Sequence, residues 1–467
     1  MLFLKRNLPY FIISISYLLL FYFTQFCFQQ PQIYDATLGK ISANYAFDGD
    51  TIIEVKTPFI VQNNDNTLQW DALHYFHIKN YLYDKSKNEI TVITPAFFPL
   101  FPIVWRASML GGFAISILNY FIFCTALAIL LSIFIDDNKQ KYLMFSLSIM
   151  LPQTVSFIIP YSESVFMLCI AIVALAMHKQ NYLLFFWGMF LIGLCRPASS
   201  FIAIAFVGVE LIFFYKNKNM LAFIKNCFIN ITPLILGYFV AIFIQFIGTN
   251  NWHSLADAQK NWPYNLGIPK RIYDWSVEGY GLSSFCIFFV IFIILFAIIG
   301  NFKKVIAIGN DVKYASKAHL SSITAKKYLQ ILSCFYLLLI AVFTFFYRNG
   351  SLNSFQRYTL GTGFFYILFY SFPTFLENNK RLFAKYFIGA LIGLVLFLIV
   401  MDYGQNHGFF KYLGMYLFIV SIILNYFFCS NITLKYKVAL LVTFLVPSLV
   451  WNTYLLNMYL SNAWIFT

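Results

Sequence analysis

The chain has 467 residues, of which 60% are hydrophobic, 21% aromatic and only 11% charged, with a formal net charge of +14. That apolar content is more than a water-soluble globule of this length needs, which excludes a soluble enzyme. The basic residues lie in short loops between apolar runs, not on a stripe with interleaved aromatics, which argues against a nucleic-acid partner.

Apolar runs of about 18 to 25 residues are long enough to cross a bilayer as helices, the form in which a backbone satisfies its own hydrogen bonds in hydrocarbon. Thirteen spans are predicted, near 9–28, 109–135, 142–159, 162–178, 182–195, 198–215, 228–248, 281–300, 328–347, 358–376, 384–402, 410–429 and 436–455. The expected fold class is an all-α polytopic membrane protein, one transmembrane domain over 1–467. No small-residue cleavage site follows the first span, so it reads as an anchor rather than a signal peptide. Pro197, next to Arg196, interrupts what could be one long helix.

With Lys5 and Arg6 inside, alternate loops carry Lys139, Lys141, Lys179, Lys216, Lys218, Lys303, Lys304, Lys326, Lys327, Lys380, Arg381, Lys435 and Lys437. The positive-inside rule then puts the N-terminus in the cytoplasm and the C-terminus outside. Usage rich in Phe, Ile, Asn and Lys suits an A+T-rich genome. The expected location is a bacterial plasma membrane, or the endoplasmic reticulum in a eukaryote. The eight cysteines fall within spans or at their ends and show no metal-type spacing. Neither a structural disulfide nor a zinc site is expected.

The first outer loop, 29–108, holds eight of the 18 acids: Asp35, Asp48, Asp50, Glu54, Asp65, Asp71, Asp84 and Glu89. It is too long for a simple connector. Its first half reads as irregular chain or short strands (TIIEVKTPFIV). Asp48-Gly-Asp50 resembles the metal-binding Asp-x-Asp of nucleotide-sugar enzymes, although a solvated turn accounts for it better. From Leu68 to Tyr83 helical spacing puts Trp70, Leu73, His77 and Tyr81 on one side, with Asp71 and His74 on another. Such a helix suits the membrane surface. In the following TPAFFPLFPIVW, Pro95, Pro99 and Pro102 are expected to prevent a regular helix and leave an apolar wall.

Four later outer sites carry polar groups. Glu163 opens a span in IIPYSESV, where its plain reading is a favourable charge at a helix start capped by Ser162 or Ser164. Arg196 in CRPASS must snorkel, pair or bind an anion. A second sizeable outer loop, 249–276, carries Trp252, His253, Asp257, Gln259, Lys260 and Trp262. Arg357 opens another span in SFQRYTLG, and Asn349-Gly-Ser before it is a glycosylation sequon of low specificity. An embedded acid, several basic groups and aromatic walls on one face suit an anionic lipid head group plus a polar substrate.

Together, QWDALHYFHIKNYLYD and AFFPLFP resemble the GPI mannosyltransferase 2 (phosphatidylinositol glycan class V) family and its bacterial relatives. The match falls on Trp70 and Asp71, on Tyr81 and Asp84, and on Ala96, Phe97, Phe98, Pro99 and Pro102. It continues more weakly at Tyr161 to Ser164, Arg196, Gln259, Trp262 and Arg357. Gln69 stands where the family often has Arg, Asn80 replaces a Gly, Asp84 replaces a Glu, and KSKNEITVI separates the two motifs. These departures bear on the substrate more than on the reaction class, and no GPI precursor is implied as acceptor.

The family is similar to the C-type glycosyltransferases, multi-span enzymes that use polyprenyl- or dolichyl-phosphate sugars on the non-cytoplasmic face. The resemblance implies inverting transfer of a hexose, most simply mannose, from polyprenyl phosphate to a hydroxyl of a glycan, lipid or protein. Asp71 would be the base, with His74 orienting it or holding the acceptor. Arg357, Arg196 and Lys260 would bind the donor phosphate. Trp70, Asp84, Phe97, Phe98, Pro99, Glu163, Gln259 and Trp262 would contact substrate. A monophosphate donor has no pyrophosphate for a metal to bridge, so no obligate metal or other cofactor is expected. Rival classes are a transporter or flippase of lipid-linked sugars, an envelope polysaccharide polymerase and a scaffold. A transporter would show repeats and paired broken helices. No internal repeat is evident, and Glu210 is the main acid within a span.

Overall fold

A computed structural model describes residues 2–36, 43–48, 51–56, 59–261, 322–347, 354–377, 409–430 and 432–462, together with positions 267, 286 and 290. The described chain is predominantly helical. Among the described residues six helices are long and apolar enough to cross a membrane: Asn7–Phe28, Gly112–Phe134, Pro197–Tyr215, Met220–Thr249, Ala325–Thr344 and Leu434–Leu460. They make this a multi-pass integral membrane protein. Shorter apolar helices occupy Tyr182–Cys195, Gly363–Phe372 and Leu413–Cys429. Of the span expected near 281–300 only positions 286 and 290 are described, and the span near 384–402 lies outside the described residues.

The chain opens with α1 (Leu2–Phe28) and α2 (Pro31–Ala36). A two-stranded antiparallel hairpin follows, β1 (Ala43–Asp48) and β2 (Thr51–Lys56), with Ala43 opposite Lys56 and Asp48 opposite Thr51. Next come α3 (Asp71–Tyr81), a 3-10 turn at Thr94–Ala96 and α4 (Leu100–Ser108). The bundle continues with α5 (Gly112–Phe134), α6 (Asn138–Ile149), α7 (Glu163–Lys179), α8 (Tyr182–Cys195), α9 (Ser200–Asn217) and α10 (Met220–Thr249). After the short α11 (Ser254–Gln259) come α12 (Ser322–Tyr347), α13 (Phe355–Thr359), α14 (Gly363–Glu377), α15 (Phe409–Cys429) and α16 (Leu434–Leu460). One contiguous apolar core draws on residues from α1 through α16.

Two sequence expectations change here. The prolines of TPAFFPLFPIVW do not exclude a helix: Pro99 is the N-cap of α4 and Pro102 sits in its first turn. The missing N–H costs nothing there, because first-turn N–H groups have no partner within the helix. The span expected at 142–159 is broken. Helix α6 ends at Ile149, and buried irregular chain and a 3-10 turn (Thr154–Phe157) lead to α7. Pro152 and Pro160 prevent a continuous helix.

Irregular backbone deep in a membrane protein must be satisfied by protein groups. Side chains of α16 do this: Trp451 Nε1 donates to the Pro152 carbonyl (3.0 Å), and Asn452 Oδ1 accepts from the Val155 amide (3.0 Å). From α5, Asn119 Nδ2 donates to the carbonyls of Ile159 (2.8 Å) and Tyr161 (2.9 Å). These bonds fix the approach to α7, and so the position of Glu163.

The stretch around Arg196 resolves into two helices. Arg196 is extended (φ −155°, ψ 146°) between α8 and the 3-10 turn Pro197–Ser199, as the residue before a proline prefers. Helix α8 packs closely on α10, because a Cβ on Gly193 or Gly237 would strike the backbone of the facing helix.

Candidate functional site

The helix carrying Asp71 begins with a strained turn. The Ala72 amide bonds the Gln69 carbonyl (3.0 Å), and Trp70 between them has φ 52° and ψ −123°. A non-glycine residue in such a region costs about 1–3 kcal/mol and persists only when its surroundings over-determine it. The surroundings here are distant in sequence. Tyr459 near the end of α16 donates its hydroxyl to the carbonyls of Thr67 (2.7 Å) and Gln69 (3.1 Å). Asn457 Oδ1 accepts from the Ile60 amide (2.7 Å). The C-terminal helix thus clamps the chain just before Asp71.

The face that α3 buries differs from the one its spacing suggested. Ala72, Tyr75 and Ile78 are buried, whereas Trp70 and Leu73 are 42% and 41% exposed. The partners decide it. The Tyr75 ring meets Phe97 and Phe101 edge-on, and its hydroxyl bonds Ser162 Oγ at 2.8 Å.

Turned this way, α3 presents Asp71 to Arg357. Arg357 Nη1 donates to Asp71 Oδ2, and its Nε donates to Glu163 Oε1. Arg196 Nη2 reaches the same Glu163 oxygen at 3.1 Å. Two carboxylates and two guanidiniums therefore form one chain: Asp71, Arg357, Glu163, Arg196. The Tyr161 ring lies 4.5 Å from Arg357 Cζ, and the Phe166 and Tyr358 rings each lie 5.5 Å from Arg196 Cζ. Aromatic faces and paired acids together make buried guanidiniums tolerable. Gly361 permits the packing, since a Cβ there would strike the Arg357 carbonyl. Glu163 is wholly buried, and its Oε2 has no hydrogen-bond partner among the described residues.

His74 makes no hydrogen bond to Asp71. Its ring stacks on Phe97 (centroids 4.7 Å apart, 13° between planes), and Nδ1 lies 3.3 Å from Thr94 Oγ1. Burial pushes the imidazole below its ordinary value, with Asp71 opposing and His77 adding to that shift. Arg357, not His74, orients Asp71. Phe98 is buried against Tyr238 (4.9 Å), so it supports the wall from behind.

Other residues singled out in the sequence lie elsewhere. Asp84 follows the far end of α3 and accepts from the Ser86 amide (2.9 Å), which holds its carboxyl below the ordinary value. Lys260 is exposed and paired with Asp257 at 2.8 Å. Half-buried Gln259 ends α11, which packs on the Thr94–Ala96 turn. Gln245 of α10 anchors that turn by donating to the Pro95 carbonyl (2.9 Å). Trp262, Asp50, the Asn349 sequon and loop residues beyond 267 lie outside the described residues. Tyr75 and Tyr459 emerge as members of the site that the sequence did not single out, and Tyr161, named there only through the weaker part of the resemblance, joins them.

No protein-family model, curated protein or solved structure matches the chain.

Proposed function

We propose that the protein is an integral-membrane glycosyltransferase of the C-type class, moving a hexose, most simply mannose, from a polyprenyl-phosphate carrier to an acceptor hydroxyl. The observation that carries this reading is a partly exposed carboxylate, Asp71, ion-paired to a buried arginine on the same side as an aromatic wall. A group-transfer site of this kind needs a base for the hydroxyl and positive charge for the departing phosphate.

In the proposed step the acceptor oxygen attacks the anomeric carbon opposite the phosphate oxygen. The C–O bond to phosphate breaks, its electron pair leaves with the polyprenyl phosphate, and the acceptor proton passes to Asp71. The product has inverted configuration. Arg357 stabilises the phosphate, with Arg196 behind it through Glu163. Trp70, His74 and Phe97 offer surfaces for a sugar ring. The positive-inside rule, applied to the basic loops, supports the orientation with this end of the bundle outside the cytoplasm. Thirteen spans, the polyprenyl-phosphate donor and the likeness to the phosphatidylinositol glycan class V family belong to the same proposal.

The test uses membranes containing the protein and endogenous acceptor, supplied with labelled polyprenyl-phosphate mannose, glucose or arabinose. One donor should be consumed. Asp71→Asn should reduce that transfer by about 10²–10⁴-fold at normal expression. Unchanged transfer by Asp71→Asn removes it as the base, and consumption of no donor favours a transporter of lipid-linked sugars.

A further inference from the structure

Arg357 is shared between two acids that are not equivalent. Glu163 is sealed, with a side-chain exposure of 0%, whereas the Asp71 side chain keeps 20%. Glu163 is also held by Arg196 at 3.1 Å, while Asp71 has no second cationic partner among the described residues. The Tyr161 ring lies against the guanidinium, 4.5 Å from Cζ. Of the two carboxylates that hold Arg357, Asp71 is the one on the more exposed side.

Charge makes the same point. The four members of the chain sum to zero, so there is no surplus cation waiting for an anion. A phosphate arriving at the Nη1 edge of Arg357 meets Asp71 there. Displacing the sealed Glu163 would leave a buried carboxylate with Arg196 as its one remaining cation and no path to water, which is unfavourable. Displacing Asp71 releases it toward solvent, where its charge is hydrated.

We infer that Asp71 and the phosphate of a polyprenyl phosphate compete for the Nη1 edge of Arg357, with Glu163 as the positioning residue that holds the guanidinium during the exchange. The ligand class rests on the glycosyltransferase reading above. The consequence is a coupling between donor and base. While Arg357 holds Asp71, the carboxylate oxygen is occupied. Once phosphate takes that edge, Asp71 is free to accept the acceptor proton beside the donor sugar. No additional reactant is needed, because a charge-assisted hydrogen bond to one anion is exchanged for the same bond to another.

Competition makes a prediction opposite to that of a substrate-holding acid: removing Asp71 should tighten binding of the lipid phosphate. The full chain in nanodiscs is titrated with undecaprenyl monophosphate, with undecaprenol as the uncharged control. Asp71→Asn should bind the phosphate about tenfold more tightly than the native chain, with no change for the alcohol. In an Arg357→Gln background the same substitution should give no gain, because the contested group is gone. A gain that persists there reflects only the general field of a removed charge and overturns the inference, as does equal, weaker or absent binding by Asp71→Asn.

Should Arg357→Gln fail to fold, Arg357→Lys replaces it. A single ammonium cannot bridge both acids in the same way, so the gain should shrink to below about threefold. An undiminished gain overturns the inference. Transfer measured on the native chain keeps the two readings apart. Tighter binding without transfer retains the exchange and removes the glycosyltransferase, whereas transfer without tighter binding does the reverse.

Discussion

Glu163 and Glu210 are both buried carboxylates in the same bundle, and they are satisfied in opposite ways. Glu163 faces two guanidiniums and leaves one oxygen without a hydrogen bond among the described residues. Glu210 lies ten residues into α9, roughly 15 Å from the start of that helix at the usual rise. Each of its oxygens has a neutral donor: Tyr328 Oη at 2.8 Å and Asn226 Nδ2 at 3.1 Å. No described cation pairs with it. A carboxyl group closed off by neutral donors serves packing between α9, α10 and α12. One wedged between arginines, with a partly exposed acid at the end of the chain, is the arrangement on which the proposed exchange rests. The same residue type therefore has two meanings, which its partners distinguish.

Stability offers the largest test of this contrast. Glu163→Gln removes the charge that compensates Arg196 and half the support of Arg357, and should lower unfolding stability in detergent by about 3–5 kcal/mol. Glu210→Gln keeps an acceptor for the neutral donors and leaves no described cation uncompensated, and should cost about 1 kcal/mol. Equal losses in thermal melts would break the comparison.

A smaller effect tests whether the clamp on the Asp71 turn matters to chemistry. Tyr459→Phe removes one hydroxyl from two carbonyls and should cost about 1 kcal/mol of stability. If the turn at Trp70 depends on it, turnover should fall by about ten- to a hundredfold through misplacement of Asp71. Melts and transfer rates on the same preparations separate the two contributions.

The smallest expected effect is a pH dependence at His74. Its folded pKa is depressed by burial from an ordinary 6.5. Below that ordinary value the unfolded chain binds a proton that the folded chain excludes, so stability falls as pH is lowered from the ordinary value to the folded pKa and is level above the ordinary value. Melting temperature scanned between about pH 5 and 8 should show that slope. His74→Phe, which keeps the stack on Phe97, should flatten it.

Much of this molecule is legible in the chain of letters, but unevenly. Long apolar runs mark helices well, because a helix in hydrocarbon depends mainly on local composition. The interruption at 142–159 is harder to see. Pro152 and Pro160 signal it, yet the break is tolerable only because Trp451, Asn452 and Asn119 supply hydrogen bonds from other helices. The opening of α3 at Asp71 agrees with the expected helix near 68–83, whereas its buried face does not. Periodicity reports which residues share a side; it does not report which side the neighbouring Phe97, Phe101 and Ser162 will cover.

Sequence alone determined that the chain is helical, apolar enough to cross a membrane repeatedly, and equipped with a long acid-rich loop before its second long helix. Those properties follow from composition and from backbone hydrogen bonding, both of which are local. It also supplied Asp71, Glu163, Arg196 and Arg357 as separate suspects. Only the tertiary structure decided that they form one ion-paired chain, because the acids and arginines come from α3, α7, the α8–α9 junction and α13. Charge pairing at such separations has no local signature. It arises when a helix bundle buries cations that must then find the acids within reach.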